Sequence, residues 1–246
     1  MDRMIYTAMT GAKHILEQQA TTAHNLANAT STGFKAQIDS FRAVPVIGAG
    51  LPTRAFVVDA TTGSDFNSGA IQATNRDLDI SVKGEGWIAI QRADGSEAYT
   101  RNGSLKTSQN GVLQTSNGLT VMGDGGPITI PPDVTVSIGK DGTISTVNNL
   151  ILPGPSNIIG RIKLVNPPLT DLVRTEDGLF ATKNGLPAIA DARISVVQGA
   201  LESSNVNVIE AMVRMISLAR QFETQMKLIN TAENNANKAS QLLNLS

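Results

Sequence analysis

Few side chains in this chain could do chemistry, and they are scattered. His14 and His24 are the only two histidines, and there is no cysteine. The histidines stand ten residues apart in a helical-period segment, close to three turns, so one metal ion cannot take both. A solvated helix face is the plainer role for them. Without cysteine there is no thiolate ligand, no thiol nucleophile and no disulfide framework. Gly123-Asp124-Gly125-Gly126 is glycine-rich but lacks the Lys-Ser/Thr of a phosphate loop. Gly139-Lys140-Asp141-Gly142-Thr143 resembles one loosely and reads as a hairpin turn. Glu176 and Asp177, with Glu202, are the acids a glycosidase pair would use; against this stands their reading as turn residues. The Gly and Asp positions do not follow the nine-residue repeat of a calcium-binding β-roll. Trp87 reads as a core anchor. No catalytic constellation, metal set or cofactor motif emerges, and no cofactor is expected.

Bulk properties narrow the partners. The formal net charge is -1 and the sequence pI about 6.1, so neither nucleic acid nor an anionic membrane is the expected target. No apolar run reaches the ~20 residues of a membrane span. At the start, His14, Glu17, Gln18 and Gln19 stand where a cleavable signal peptide has its apolar core. The expectation is a chain that stays in the cytosol or leaves by a route without such a peptide.

The elements around these residues are clearer than the chemistry. From residue 204 to the end, apolar and small residues recur in steps of four and three: Val208, Met212, Met215, Ala219, Phe222, Met226, Ile229, then Ala236 and Leu243, interrupted by Glu233 and Ser240. That is a coiled-coil seam. No Gly or Pro follows Gly199, and Glu210, Arg214, Arg220, Glu223, Lys227 and Lys238 lie off the seam. Ser203-Ser204-Asn205 supplies helix-start oxygens. About 40 residues at ~1.5 Å each make a rod of roughly 60 Å. The other end repeats the spacing with Ile5, Met9, Ala12, Leu16, Gln19, Ala23 and Leu26, a helix of ~37 Å. Thr30-Ser31-Thr32-Gly33 ends it.

Between the helices the period changes. Residues 34–76, with Pro45, Gly48, Gly50 and Pro52, read as an extended connector with a hairpin and a short strand at Val57-Val58. Residues 77–198 read as all-β: Leu78, Ile80 and Val82 alternate, as do Val134, Val136 and Ile138, and Ile162 and Leu164 opposite Arg161 and Lys163. Eight Asn-Gly or Asp-Gly pairs, from Asp94-Gly95 to Asn184-Gly185, each offer the two positive-φ residues of a tight hairpin turn. The first five recur every seven or eight residues, which predicts short strands in a meander. The expected fold is α+β. Long N- and C-terminal helices (1–33 and 199–246) pair as a coiled-coil-like core, and a mainly antiparallel β domain (77–198) is inserted after the connector.

Two stretches carry a family resemblance. Asn25-Leu26-Ala27-Asn28-Ala29-Thr30-Ser31-Thr32-Gly33-Phe34-Lys35 resembles the N-terminal signature of flagellar rod and hook proteins. Gly199-Ala200-Leu201-Glu202-Ser203-Ser204-Asn205-Val206 resembles the signature that opens their C-terminal helix, continued by Arg220-Gln221-Phe222-Glu223 and Lys227. Gly84-Glu85-Gly86-Trp87 and Tyr99-Thr100-Arg101-Asn102-Gly103 are similar to the family's β domain, with Trp87 where many relatives have Phe. Within the family the proximal rod members are nearest, through Ile5-Tyr6-Thr7-Ala8-Met9, Leu51-Pro52-Thr53-Arg54 and the length. The distal rod members are the alternative.

The resemblance implies a non-enzymatic structural subunit of the flagellar basal-body rod. It would stack through its terminal helices, beside proximal and distal rod proteins and copies of itself, and be exported by the flagellar type III apparatus to span the periplasm. Neither nucleic-acid binding nor direct membrane insertion is implied. The expected interface residues are Ile5, Met9, Ala12, Leu16, Ala23, Leu26, Val208, Met212, Met215, Ala219, Phe222, Met226, Ile229 and Leu243. The expected signature residues are Asn25, Asn28, Gly33, Phe34, Leu201, Glu202, Ser204 and Asn205. Two readings from other classes remain open on the residues alone: a periplasmic enzyme acting on peptidoglycan through Glu176 or Asp177, and a carbohydrate-binding module.

Overall fold

The computed structural model describes residues 2–45, 55–148 and 154–243. The readings at Gly48, Gly50 and Leu51-Pro52-Thr53-Arg54, and the side chain of Leu243, lie outside the described residues. The chain divides into two compact units. The first contains residues 1–29, 36–65 and 206–246; the second contains residues 30–35 and 66–205.

The first unit holds both helices, α1 (Asp2–Ala27) and α2 (Val208–Leu243), and an antiparallel hairpin of Gln37–Pro45 with Ala55–Ser64. A bulge between Ser40 and Phe41 shifts the hairpin's register. The Asn25 side chain treats the strand as a backbone would: its amide donates to the Gln37 carbonyl and its oxygen accepts from the Gln37 N–H, both at 2.8 Å. Thr21 Oγ1 donates to Asp39 at 2.8 Å, and the His14 ring meets Phe41 edge-on at 5.6 Å. α2 is capped by Asn207, whose Oδ1 accepts from the N–H groups of Ile209 and Glu210. The Ser203-Ser204-Asn205 oxygens expected to start this helix lie upstream of it, in the second unit.

The terminal helices exist, but the coiled-coil core expected of them does not. A coiled-coil seam buries its a and d positions. Here Met9, Leu16 and Met212 are 55%, 49% and 49% exposed, and Ala23, Val208 and Met226 are also exposed. The covered line of α1 runs through Ala12, Ile15 and Thr22, about one residue, or ~100° of helix, from the expected Leu16 and Ala23. On α2 the covered positions are 211, 215, 218, 219, 222, 225, 229, 232 and 236, of which only Ala211 and Leu218 are fully buried. The buried positions are Ile15 and Leu218 beside the small Ala12 and Ala211, while Met9, Leu16, Met212 and Met226 of the sequence seam are turned outward. Bulky residues thus stand on both faces of each helix, and a four-three count alone does not say which face is covered. The fold is mainly β, with one helix at each end of the chain, and remains within α+β.

The second unit holds the principal core. Its largest sheet places Trp87–Gln91 between Glu97–Thr100 and Thr120–Gly123. Leu113–Thr115 and Leu105–Thr107 extend one side, and Phe180–Thr182 and Leu172–Arg174 the other. The simple meander therefore fails at one point: Thr120–Gly123 turns back to pair with Trp87–Gln91. Alternation along Trp87–Gln91 feeds two cores. Ile88 and Ile90 join a large aliphatic cluster with Ile80, Leu113, Ile144 and Val196. Trp87 and Ala89 join Tyr99, Leu172 and Phe180 on the other face. Trp87 stacks 4.6 Å from Phe180 and edge-on to Phe66 at 5.8 Å, the core anchor its sequence context suggested. Burial and its hydrogen bond with Ala188 act on Tyr99, whose phenol is pushed up to about 12, chiefly by desolvation.

The Asp-Gly and Asn-Gly pairs make turns of a different type from the one expected. In six of the eight pairs the glycine alone takes positive φ, as at Gly95 (84°) and Gly142 (84°). Gly95 N–H donates to Arg92 and Arg92 N–H to Ser96, a type I turn closed by a glycine bulge. The same bonding recurs at Gly111, Gly118, Gly142 and Gly178. The preceding Asp is there for its carboxylate: Asp94 and Asp141 accept from Ser96 and Thr143, and those hydroxyl bonds hold both acids below the usual range. Gly103 differs, since a Cβ there would lie 1.7 Å from the Ile80 carbonyl oxygen. Gly95→Ala should therefore cost about 1–2 kcal/mol, the strain of a left-handed residue. Gly103→Ala should cost clearly more, and denaturant melts of the two variants check the order.

Candidate functional site

The two signature stretches meet in the second unit around one buried carboxylate. Glu202 sits in the strand Ala200–Glu202, which pairs antiparallel with Ile71–Ala73. Its Oε1 accepts from Lys35 Nζ at 2.7 Å and from the Gly69 N–H at 3.0 Å. Its Oε2 accepts from Arg101 at 3.1 Å. Glu202, Lys35 and Arg101 are 2%, 1% and 4% exposed. Two cations thus share one anion, and backbone carbonyls take up the surplus charge. Lys35 also donates to the Asn67 carbonyl at 2.9 Å; Arg101 donates to the carbonyls of Val82 and Gly84. Arg101 lies over the Trp87 ring at 5.5 Å. Burial pushes the Arg101 guanidinium below its ordinary value, and Glu202 opposes that push.

Neighbouring bonds tie the same segments together. Gly33 N–H donates to the Glu202 carbonyl at 2.8 Å, and Gly33 has φ +68°. An added Cβ at Gly33 would stand 2.3 Å from the Arg101 carbonyl carbon, so only glycine fits. Asn205 N–H donates to Phe34, and its side chain to Asn67 at 3.1 Å. Ser203 bonds the Ala70 carbonyl through both its N–H and its hydroxyl. Arg174 donates to the Lys35 carbonyl at 2.7 Å and lies over the Phe34 ring at 4.6 Å. Burial pushes Arg174 below its ordinary value as well.

Of the expected signature residues, Gly33, Phe34, Glu202 and Asn205 come together here. Ser204 is buried and Leu201 half-buried on the same strand and turn. Asn25 and Asn28 serve the first unit: Asn25 pairs with Gln37, and Asn28 donates to the His24 carbonyl at the end of α1. Of the expected interface residues, Ala12 is buried; Ile5, Leu26, Met215, Ala219, Phe222 and Ile229 are half-buried. Met9, Leu16, Ala23, Val208, Met212 and Met226 are exposed.

Sequence reasoning missed Lys35 and Arg101 as a pair. Both stand inside the stretches that carry the family resemblance, and a Lys or Arg beside buried β positions was the available signal. Two of the acids considered for catalysis are engaged elsewhere, and Glu176 is exposed. Glu202 is held by both cations, and Asp177 by Arg92 at 2.8 Å, with Thr175 and the Leu179 N–H. Among the described residues no group of three His, Cys, Asp or Glu is placed to hold a metal ion.

What this arrangement does is structural. Removing one partner of a buried pair leaves an uncompensated charge, whereas replacing the whole set by apolar groups is often neutral. Glu202→Ala should therefore destabilise the protein by about 3–5 kcal/mol. The surface pair Arg193–Asp191 is a control, since Asp191→Ala should cost within ~1 kcal/mol. Urea titration monitored by Trp87 fluorescence checks both.

Comparison with known proteins matches these features. Residues 197–242, which include Glu202 and most of α2, match the family model described as flagellar basal body rod FlgEFG protein C-terminal. Residues 81–146 match the flagellar hook protein FlgE/F/G D1 domain. The chain is 46% identical over 256 aligned residues to the flagellar basal-body rod protein FlgF of Escherichia coli K12, covering 100% of both. It is 44% identical, again over 100% of both, to the FlgF of Salmonella typhimurium. The flagellar basal-body rod protein FlgG of Buchnera aphidicola (subspecies Schizaphis graminum) is 30% identical over 89% of this chain and 92% of its own. Identity at this level, end to end, together with two signatures that close on one buried charge cluster, makes the chain a member of the flagellar basal-body rod protein family.

Proposed function

We propose that the chain is a structural subunit of the proximal part of the flagellar basal-body rod, with no enzymatic activity. The observation that carries this reading is the collinear, full-length likeness to rod proteins, at 46% and 44% identity to two proteins named FlgF against 30% to the FlgG of Buchnera aphidicola. Asp177, one of the acids that an enzyme acting on peptidoglycan would need, is held by Arg92, which supports a mechanical role. The subunit lies in the basal body, and we place it along the periplasmic span of the rod. Its partners are other rod subunits, proximal and distal, and copies of itself; the flagellar type III export apparatus delivers it. Net charge near zero gives no basis for nucleic-acid binding, and among the described residues no helix is long and apolar enough to cross a membrane.

The helices supply the surface for assembly. α2 exposes Ile209, Met212, Val213 and Ile216 at steps of three and four, with Met226 and Leu228 further on. α1 exposes Tyr6, Met9 and Leu16. Apolar stripes of this kind mark association surfaces. Each side chain buried on assembly contributes roughly 1.5–3 kcal/mol, repeated at every subunit.

Ile216→Glu and Met226→Glu test this directly. Both side chains are exposed, so the purified variants should melt within about 0.5 kcal/mol of the parent. In a strain lacking the gene, they should fail to restore swimming in soft agar. Normal swimming by both variants would remove the helical faces from the interface.

A further inference from the structure

The chain passes between the two units at residues 29/30, 35/36, 65/66 and 205/206. Within the second unit, the segments next to these crossings are 30–35, 66–73 and 199–205. They bury little apolar surface. The strand Ile71–Ala73 is exposed at all three positions. Of these segments, only Ala200 is a fully buried apolar residue, and Phe66 packs partly against the aromatic cluster. What holds the segments to one another is polar: Lys35 to Glu202 and Asn67, Glu202 to Gly69, Gly33 to the Glu202 carbonyl, Ser203 to Ala70. The set also carries a cost. The buried Arg101 Nε has no hydrogen-bond partner among the described residues. The sheets beside it rest on a closed aliphatic core with Ile80, Ile88, Ile90 and Leu113 fully buried.

Regions with few buried apolar contacts open below the global unfolding free energy, in cooperative blocks. We infer that residues 30–35, 66–73 and 199–205 form one such block, latched by Lys35, Glu202 and Arg101, which opens as a unit while the sheet core stays closed. Opening frees every point at which the chain enters or leaves the β unit at once. The latch is thus a built-in two-state device that sets whether those crossings are held, and it stands independently of the rod reading.

Native-state hydrogen exchange on the full chain tests it. The reporters are the amides of Gly33, Gly69 and Ser203 in the block, and those of Ala89 and Leu113 in the core, which donate to Lys163 and Ile128. In the parent protein the three block amides should share one opening constant, larger than that of the core amides. Glu202→Gln should speed the block amides more than about a hundredfold, the effect of unpairing a buried charge. Ile90→Val, a change in the closed aliphatic core, should speed Ala89 and Leu113 about two- to tenfold and leave the block amides unchanged, because the block-open state keeps the core contacts. The triple variant K35M/R101M/E202L should return the block to parental protection or beyond. Block and core amides exchanging together in the parent would overturn the inference, and that comparison requires no variant to fold. So would an Ile90→Val effect spread equally over block and core.

Discussion

A carboxylate buried between two cations has no water to fall back on, and Glu202 is in that position. Lys35 reaches it from the end of the first signature, Arg101 from the middle of the β unit, and Glu202 itself belongs to the last strand before α2. Desolvation makes each of these charges expensive alone and tolerable only together. The chain must therefore bring residues 35, 101 and 202 to one place before any of them is at ease. Much else follows from that requirement. Gly33 is left-handed because the backbone passes 2.3 Å from where a Cβ would meet Arg101. Gly69 lacks a side chain because the Ser203 carbonyl occupies the space, 2.0 Å from an added Cβ. Trp87 stacks under Arg101 as well as filling the aromatic core.

Part of this was legible in the residues. The helices were, because a four-three period over 36 residues has few other solutions. The face they bury was not. Counting bulky apolar positions selected Met9, Leu16, Met212 and Met226, while the folded unit covers Ala12, Ile15, Ala211 and Leu218. Ile15 and Leu218 are as apolar as the exposed Leu16 and Met212, so hydropathy patterning does not separate the two faces. The same reading did mark covered positions at Ala12 on α1 and at Met215, Ala219, Phe222, Ile229 and Ala236 on α2.

The turns show the same division. Asp-Gly and Asn-Gly placed the chain reversals well, but not their type. The Asp carboxylate binds the amide two residues on and keeps its own φ negative, leaving one left-handed glycine instead of two left-handed residues. The role of Glu202 was the least legible feature. It read as a signature acid and as a conceivable catalytic one, because its partners lie 101 and 167 residues away and no local pattern links them. Once the fold is in hand, the signatures have a physical meaning. Residues 33–35 of the first and residues 202–205 of the second are the two ends of one polar closure within the second unit.

The most direct measurement of the central claim is electron microscopy of purified basal bodies from a strain in which this gene is deleted. If the chain is an axial rod subunit, the particles will carry truncated rods without distal rod or hook, and the cells will not swim. Complete basal bodies in normally swimming cells would contradict the account.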